Sequence, residues 1–234
     1  MEGFSQAFQT SLGLILAGDP YLVGIVALSL QISLAALAIS ALIGVPLGAL
    51  LAMHRFWGRQ IIVIATNALM GLPPVVVGLV VYLALSRSGP LGVLDLLYTP
   101  AAMILAQALL ITPILVALTR QTLEPINDEY ADLLRSFAVA GMRRVWVLIW
   151  DGRFGLLTAL LAGFGRATAE VGAVIIVGGN INHVTRVMTT TIALETSRGN
   201  LSLAMALGVI LLIIALAVNA VLSMVSQATR RGYA

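Results

Sequence analysis

Four stretches of this chain contain no charged residue: Tyr21–Met53, Gln60–Ser86, Leu96–Thr119 and Gly199–Thr229. Each is longer than the run of about 20 apolar residues that a helix needs to cross the hydrocarbon core of a bilayer. Lipid offers no partner to backbone polar groups, so each run must satisfy its own as a helix. A fifth run, Phe154 to about Val177, is interrupted only by Arg166 and Glu170. With 60% of its 234 residues hydrophobic and 10% charged, the chain is far more apolar than a soluble domain. The expected fold is an all-α integral membrane domain of five spans, over about 21–53, 60–86, 97–120, 154–177 and 201–228, within a transmembrane domain 19–234.

Helix signals support these limits. Asp19-Pro20 and Thr99-Pro100 each place a capping side chain before a proline in the first helical position, and Asn200 is placed to cap the last span. Pro46, Pro73-Pro74 and Pro113 fall inside spans, where each removes a helix hydrogen bond and favours a kink. Residues 4–18 are too short to cross; Phe4, Phe8, Leu12 and Ile15 recur at helical spacing, as in an amphipathic helix on the outer surface. A sixth, tilted span is the alternative. Glu2 stands where a signal peptide would carry positive charge.

All thirteen basic residues are arginine. Nine of them (Arg55, Arg59, Arg120, Arg135, Arg143, Arg144, Arg153, Arg230 and Arg231) flank one side of the spans, and Arg87, Arg186 and Arg198 the other. The positive-inside rule makes the nine-arginine side cytoplasmic, which puts the C-terminus inside and the N-terminus outside. This distribution orients a membrane protein and gives no basis for a nucleic-acid partner. The absence of lysine rules out a P-loop, so ATP hydrolysis, if it drives this chain, belongs to another subunit. The absence of cysteine rules out disulfides and thiol chemistry. His54 and His183 fall on opposite sides of the membrane in this topology, too far apart for one metal site.

The longest cytoplasmic connection, 121–153, is patterned. Pro125 is expected to end span three; Asp128, Glu129 and Asp132 then gather where a helix would begin, and Arg143 and Arg144 where it would end, as a helix dipole favours. Tyr130, Leu133, Leu134 and Phe137 form a stripe at i, i+3, i+4 and i+7. Such a helix can lie on lipid or fill a partner's groove.

The segment DLLRSFAVAGMRRVWVLIWD, Asp132–Asp151, resembles the EAA loop of ABC importer permeases. Asp132-Leu133-Leu134 takes the place of Glu-Ala-Ala, Ala138 that of the glycine, Leu148 that of the isoleucine and Asp151 that of the proline. A second stretch, Arg166–Asn200, is similar to oxyanion permeases in Glu170-Val171-Gly172-Ala173, Gly179-Asn180-Ile181 and Thr185-Arg186; its tail TTTIALETSRGN resembles the tungstate-type branch rather than the molybdate or sulfate branches. Gly71–Leu79, GLPPVVVGL, resembles the family's second span. The resemblance implies a type I importer permease in the plasma membrane. It would work as a homodimer with a cytoplasmic ATPase dimer, which carries ATP and Mg, and an external oxyanion-binding protein. It also implies that Tyr130, Asp132, Leu133, Leu134, Phe137, Ala138, Arg143 and Arg144 form the ATPase-coupling helix.

Two other function classes fit less well. A secondary transporter would be expected to show internal repeats, and none is found; for an intramembrane enzyme there is no cysteine, no Gly-x-Ser-x-Gly motif and no pair of intramembrane aspartates. Arg166, Glu170, Asn180, Thr185 and Arg186 are the candidates for a translocation path or gate. Arg166 and Glu170, four apart, either pair structurally within the bundle or line the path; a bare carboxylate would repel an oxyanion, which favours pairing. Gly178-Gly179-Asn180 can simply end span four. Thr185, Arg186 and Thr189–Thr191 suit an oxyanion, an interfacial segment or a seat for the binding protein. The topology is checked with Ser5→Cys, which should react with an impermeant thiol reagent on intact cells. Reaction only after lysis would mean six spans.

Overall fold

A computed structural model describes the backbone of residues 2–139 and 141–232 and the side chains of 8–139, 141–221 and 224. The side chains of Phe4, Ser5, Arg230 and Arg231 lie outside the described residues. Among the described residues every regular element is helical: α1 Glu2–Leu16, α2 Pro20–Met53, α3 Arg59–Met70, α4 Pro74–Leu85, α5 Pro100–Glu129, α6 Ala131–Ser136, α7 Met142–Asp151, α8 Arg153–Thr168, α9 Gly172–Gly178, α10 Met188–Ser197 and α11 Leu201–Gly232, with a short 3-10 turn at Gly92–Leu94. The helices α2, α5 and α11 are long and apolar enough to cross a membrane unbroken, and two bent pairs, α3 with α4 and α7 with α8, qualify as broken spans.

The expected second and fourth spans are therefore not continuous helices. Between α3 and α4 the axis turns by 101° at Gly71–Pro73, where the prolines act more strongly than a kink. Pro73 is extended and Pro74 opens α4, so the break costs α4 no donor that it needed. The fourth span stops at Thr168 and resumes at Gly172 as α9. Pro46 and Pro113, as expected, lie inside α2 and α5. Pro125 does not end span three: α5 runs through it to Glu129. Asp19 caps α2, its Oδ1 accepting from Leu22 N at 2.9 Å, whereas the amide of Asn200 donates to Glu195 Oε2 at 2.9 Å.

The chain folds into two compact units. One comprises 1–36, 73–107 and 165–218. Its centre is apolar: Leu22, Ile25, Met188, Ala206 and Leu207 are buried together, with Leu14 and Ile15 of α1 packed against them. Thus Ile15 of the amphipathic stripe faces protein, while Phe8 and Leu12 are exposed. The helix α4 packs on α9 through small residues, a Cβ on Gly78 falling 2.7 Å from Ala173 Cα and one on Gly172 2.8 Å from Val75 Cγ2.

The other unit comprises 37–72, 108–164 and 219–234. Here Gly44 and Gly48 of α2 let the helix press against α5, where a Cβ at position 48 would stand 2.6 Å from Thr119 Cβ. Close backbone approach at small residues is how helices pack without a hydrophobic driving force between them. Gly78→Ala should disturb the seam between α4 and α9, costing about 1–3 kcal/mol as overpacking does. The measurement is the thermal midpoint of the detergent-purified protein; an unchanged midpoint would mean that the seam yields freely.

Candidate functional sites

Glu170 occupies the gap between α8 and α9, where the helix is interrupted inside an apolar span. A helix broken there leaves backbone groups that lipid cannot satisfy. Three of them find a side chain. Glu170 Oε1 accepts from Ala173 N in the first turn of α9 at 3.1 Å, and Gln107 Nε2 donates to Ala167 O at the end of α8 at 3.1 Å. Thr189 Oγ1 donates to the carbonyl of Glu170 at 2.8 Å. The other carboxylate oxygen of Glu170 takes Arg166, so the two charges do pair across four residues. Glu170 keeps 3% of its side chain exposed and Arg166 34%, which places the carboxylate inside the protein and the guanidinium at its edge.

The residues after α9 form a tight knot. Gly179, with φ +68, ends α9 in the left-handed conformation that glycine tolerates, and Asn180 follows at φ +51. The hydroxyl of Thr185, fully buried, donates to Gly178 O and accepts from Ile181 N. Asn180 exchanges bonds with Thr190, through Oδ1 at 3.0 Å and to its carbonyl at 3.4 Å. Thr191 donates to Val187 O at 2.7 Å, and Ser29 Oγ caps Met188 N at 2.8 Å. The threonines grouped in sequence as anion donors thus serve the turn and α10. Arg186 stands apart from them, donating to Tyr21 Oη at 2.6 Å.

The expected coupling helix Tyr130–Arg144 is two helices rather than one. Ala138 at φ +52 and Gly141 at φ +61, ψ −138 leave the helical region and separate α6 from α7. The left-handed φ of Ala138 agrees with a place that resembles a glycine position. The four-residue stripe also divides: Leu134 is buried, while Leu133 and Phe137 are exposed, Phe137 by 72%. Tyr130 Oη donates to Asp151 Oδ2 at 3.0 Å, tying the start of α6 to the end of α7. Asp132 is exposed and only loosely paired, its carboxylate 3.9 Å from Arg135.

Two dipole assignments change with this geometry. Asp128 and Glu129 end α5 rather than begin a docking helix, and Arg143 and Arg144 begin α7 rather than end one. Both placements oppose the helix dipole, and partners offset the cost. Arg55 pairs with Asp128 at 3.2 Å, and Arg144 donates twice to Asn127 Oδ1, at 2.6 and 3.1 Å. Asn127, buried, in turn donates to Ala52 O at 3.4 Å. Glu124 receives both Arg59 and Arg120. Sequence reasoning missed Glu124 and Asn127. A signal existed for the first, since Arg120 and Glu124 stand four apart, but Arg59 lies 65 positions away. Between α6, α7 and the end of α2 lies an open cleft of about 640 Å³ lined by Met53, His54, Leu134, Ala138 and Val145 among others.

Long apolar helices, a break tied by buried polar side chains and short helices fastened to the foot of a long one define a helical membrane protein. The chain belongs to the family of binding-protein-dependent transport system inner membrane components, whose model matches residues 44–231. It is 44% identical over 207 residues to a probable anion ABC transporter permease of Haloferax volcanii, covering 86% of this chain and 88% of that protein. It is 39% identical over 222 residues to the tungstate uptake system permease of Peptoclostridium acidaminophilum, covering 95% and 97%. A sulfate transport system permease of Escherichia coli is 29% identical over 197 residues, covering 78% and 66%.

Glu170→Ala removes both the ion pair and the acceptor of Ala173 N–H, whereas Arg166→Ala leaves that acceptor in place. Glu170→Ala should therefore lower the amount of assembled transporter extracted from membranes more than Arg166→Ala, and the double variant should recover part of the loss. Equal assembly in all three with transport alone abolished would assign the pair to the path instead.

Proposed function

We propose that the chain is the permease subunit of an ATP-driven importer for an oxyanion, tungstate first among them. It pairs with a second copy of itself to enclose the pathway, since five spans are too few to do so alone. A dimeric ATPase on the cytoplasmic side supplies hydrolysis with its own ATP and Mg, and an external binding protein delivers the anion. The proposed orientation puts the loop 121–153 inside and the N-terminus outside, on the arginine count. The substrate reading rests on relatives whose names specify anion and tungstate uptake, matched along most of this chain.

The observation that carries the coupling role is the outward pair Leu133 and Phe137 on a helix whose inward face is fastened to α5 and α7. An ATPase groove that closes on Phe137 would pull on α6. The pull would pass through Tyr130 and Asp151 to α7, and through Arg144, Asn127 and Ala52 to α2. Asp132 and Arg143 are exposed at the two ends of this surface and are assigned to its polar rim. Arg166 and Glu170 keep the broken span in shape while the path opens and closes; Asn180 and Thr185 hold the turn that follows.

Two measurements test this. In cells expressing the whole system, uptake of labelled tungstate should be suppressed by unlabelled tungstate more than by equal molybdate or sulfate. Suppression by sulfate alone would refute the tungstate assignment. Phe137→Ala should weaken ATPase binding by about 2 kcal/mol or more, the size of an aromatic interface anchor. It should also reduce co-purification while the thermal midpoint of the permease stays unchanged. Normal co-purification with full transport would remove Phe137 from the interface.

A further inference from the structure

At the start of α2 a cavity of about 420 Å³ is bounded by Pro20, Tyr21, Gly24, Ile25 and Leu28, and by His183 and Arg186 from the turn after α9. Arg186 lines it with its charge incompletely answered. Its Nη1 donates to Tyr21 Oη at 2.6 Å and to Asn182 Oδ1 at 3.3 Å, and Nη2 to the carbonyl of Asn180 at 3.4 Å. Its Nε is buried and donates to nothing. Among the described residues no carboxylate pairs with it, and none lines the cavity. A guanidinium stays protonated at any working pH, so a half-buried one held only by neutral dipoles is a standing attraction for an anion.

The other polar groups of the cavity are donors too. Tyr21 accepts the Arg186 bond, which leaves its own O–H to donate. The ring of His183 stands edge-on to Tyr21, centroids 5.7 Å apart, and offers a ring N–H. By contrast, the hydroxyls of Thr185, Thr190 and Thr191 are spent on backbone carbonyls. We propose that Arg186, Tyr21 and His183 form a binding site for a tetrahedral oxyanion. Guanidinium, phenol and imidazole donors without a competing carboxylate suit such a group. The remaining wall, Pro20, Gly24, Ile25 and Leu28, is apolar. The anion is therefore either a free oxyanion, in which case the site deepens the import function proposed above, or the phosphate of a lipid whose chains run along α2.

Permease purified into nanodiscs of phosphatidylcholine alone, then dialysed against labelled tungstate, tests the free-anion source. Nanodiscs containing phosphatidylglycerol, followed by native mass spectrometry, test the lipid source. Arg186→Gln, which keeps an amide for Tyr21, should reduce retention by about tenfold, as loss of a charge-assisted hydrogen bond implies. His183→Asn, a residue that tolerates the φ of +59 there, should weaken retention of the same anion while melting with the wild type, and keeps the test decisive if Arg186→Gln misfolds.

Tungstate retained by the wild type and lost in the variants identifies a free-anion site; phosphatidylglycerol retained and lost in the same way identifies a lipid-phosphate site. Equal retention of both anions in all three proteins overturns the proposal. So does retention of neither, and if Arg186→Gln then also fails to bind the external binding protein, Arg186 pairs with that partner. An importer that takes up no tungstate while its permease still holds an anion at Arg186 loses the proposed function and keeps the site.

Discussion

A helix that stops within an apolar span exposes donors and acceptors to a medium that cannot answer them, and the carboxylate of Glu170 resolves that problem at the break between α8 and α9. One oxygen accepts from the first turn of α9, the other holds Arg166, and Gln107 and Thr189 take up the carbonyls on either side. The rest of its unit depends on this arrangement. Gly78 and Gly172 bring α4 against α9, and the turn at Gly179 and Asn180 starts the path to α10. A charge that looks misplaced in a hydropathy plot is what permits a broken span.

The second unit is organised around the foot of α5. There Glu124, Asn127 and Asp128 gather Arg59, Arg120 and Arg144 from α3, α5 and α7, and Arg55 from the loop after α2. Individual exposed ion pairs contribute little stability. Their value here is geometric: α6 and α7 are short, and without anchors to α5 they would have no fixed direction. Hydrogen bonds thus tie the start of α6 to α7, and α7 through Asn127 to α2.

The second unit uses glycine for two different ends. Gly44 and Gly48 bring α2 against α5 where two long helices run together, and Gly141 permits a φ, ψ pair that other residues avoid between two short ones. In the first case the missing Cβ removes a clash; in the second, nothing stands within 4 Å of it and only backbone freedom matters.

The apolar runs, the arginine distribution and the proline positions were legible because each depends on local composition: hydrocarbon thickness sets a run length, and a capping aspartate before proline marks a start. The helices α2 and α5 and the ends of the broken spans follow from such signals. Tertiary structure alone decided where helices break and which charges meet. Pro125 lies exposed within α5, which runs through it to Glu129, and at Pro73-Pro74 the chain turns by 101°. The partners of Arg59 and Arg186 lie 65 and 165 positions away, beyond any periodicity in sequence. Spacing told that Arg166 and Glu170 were neighbours; only the fold, by ending α8 between them, made the carboxylate the cap of the next helix.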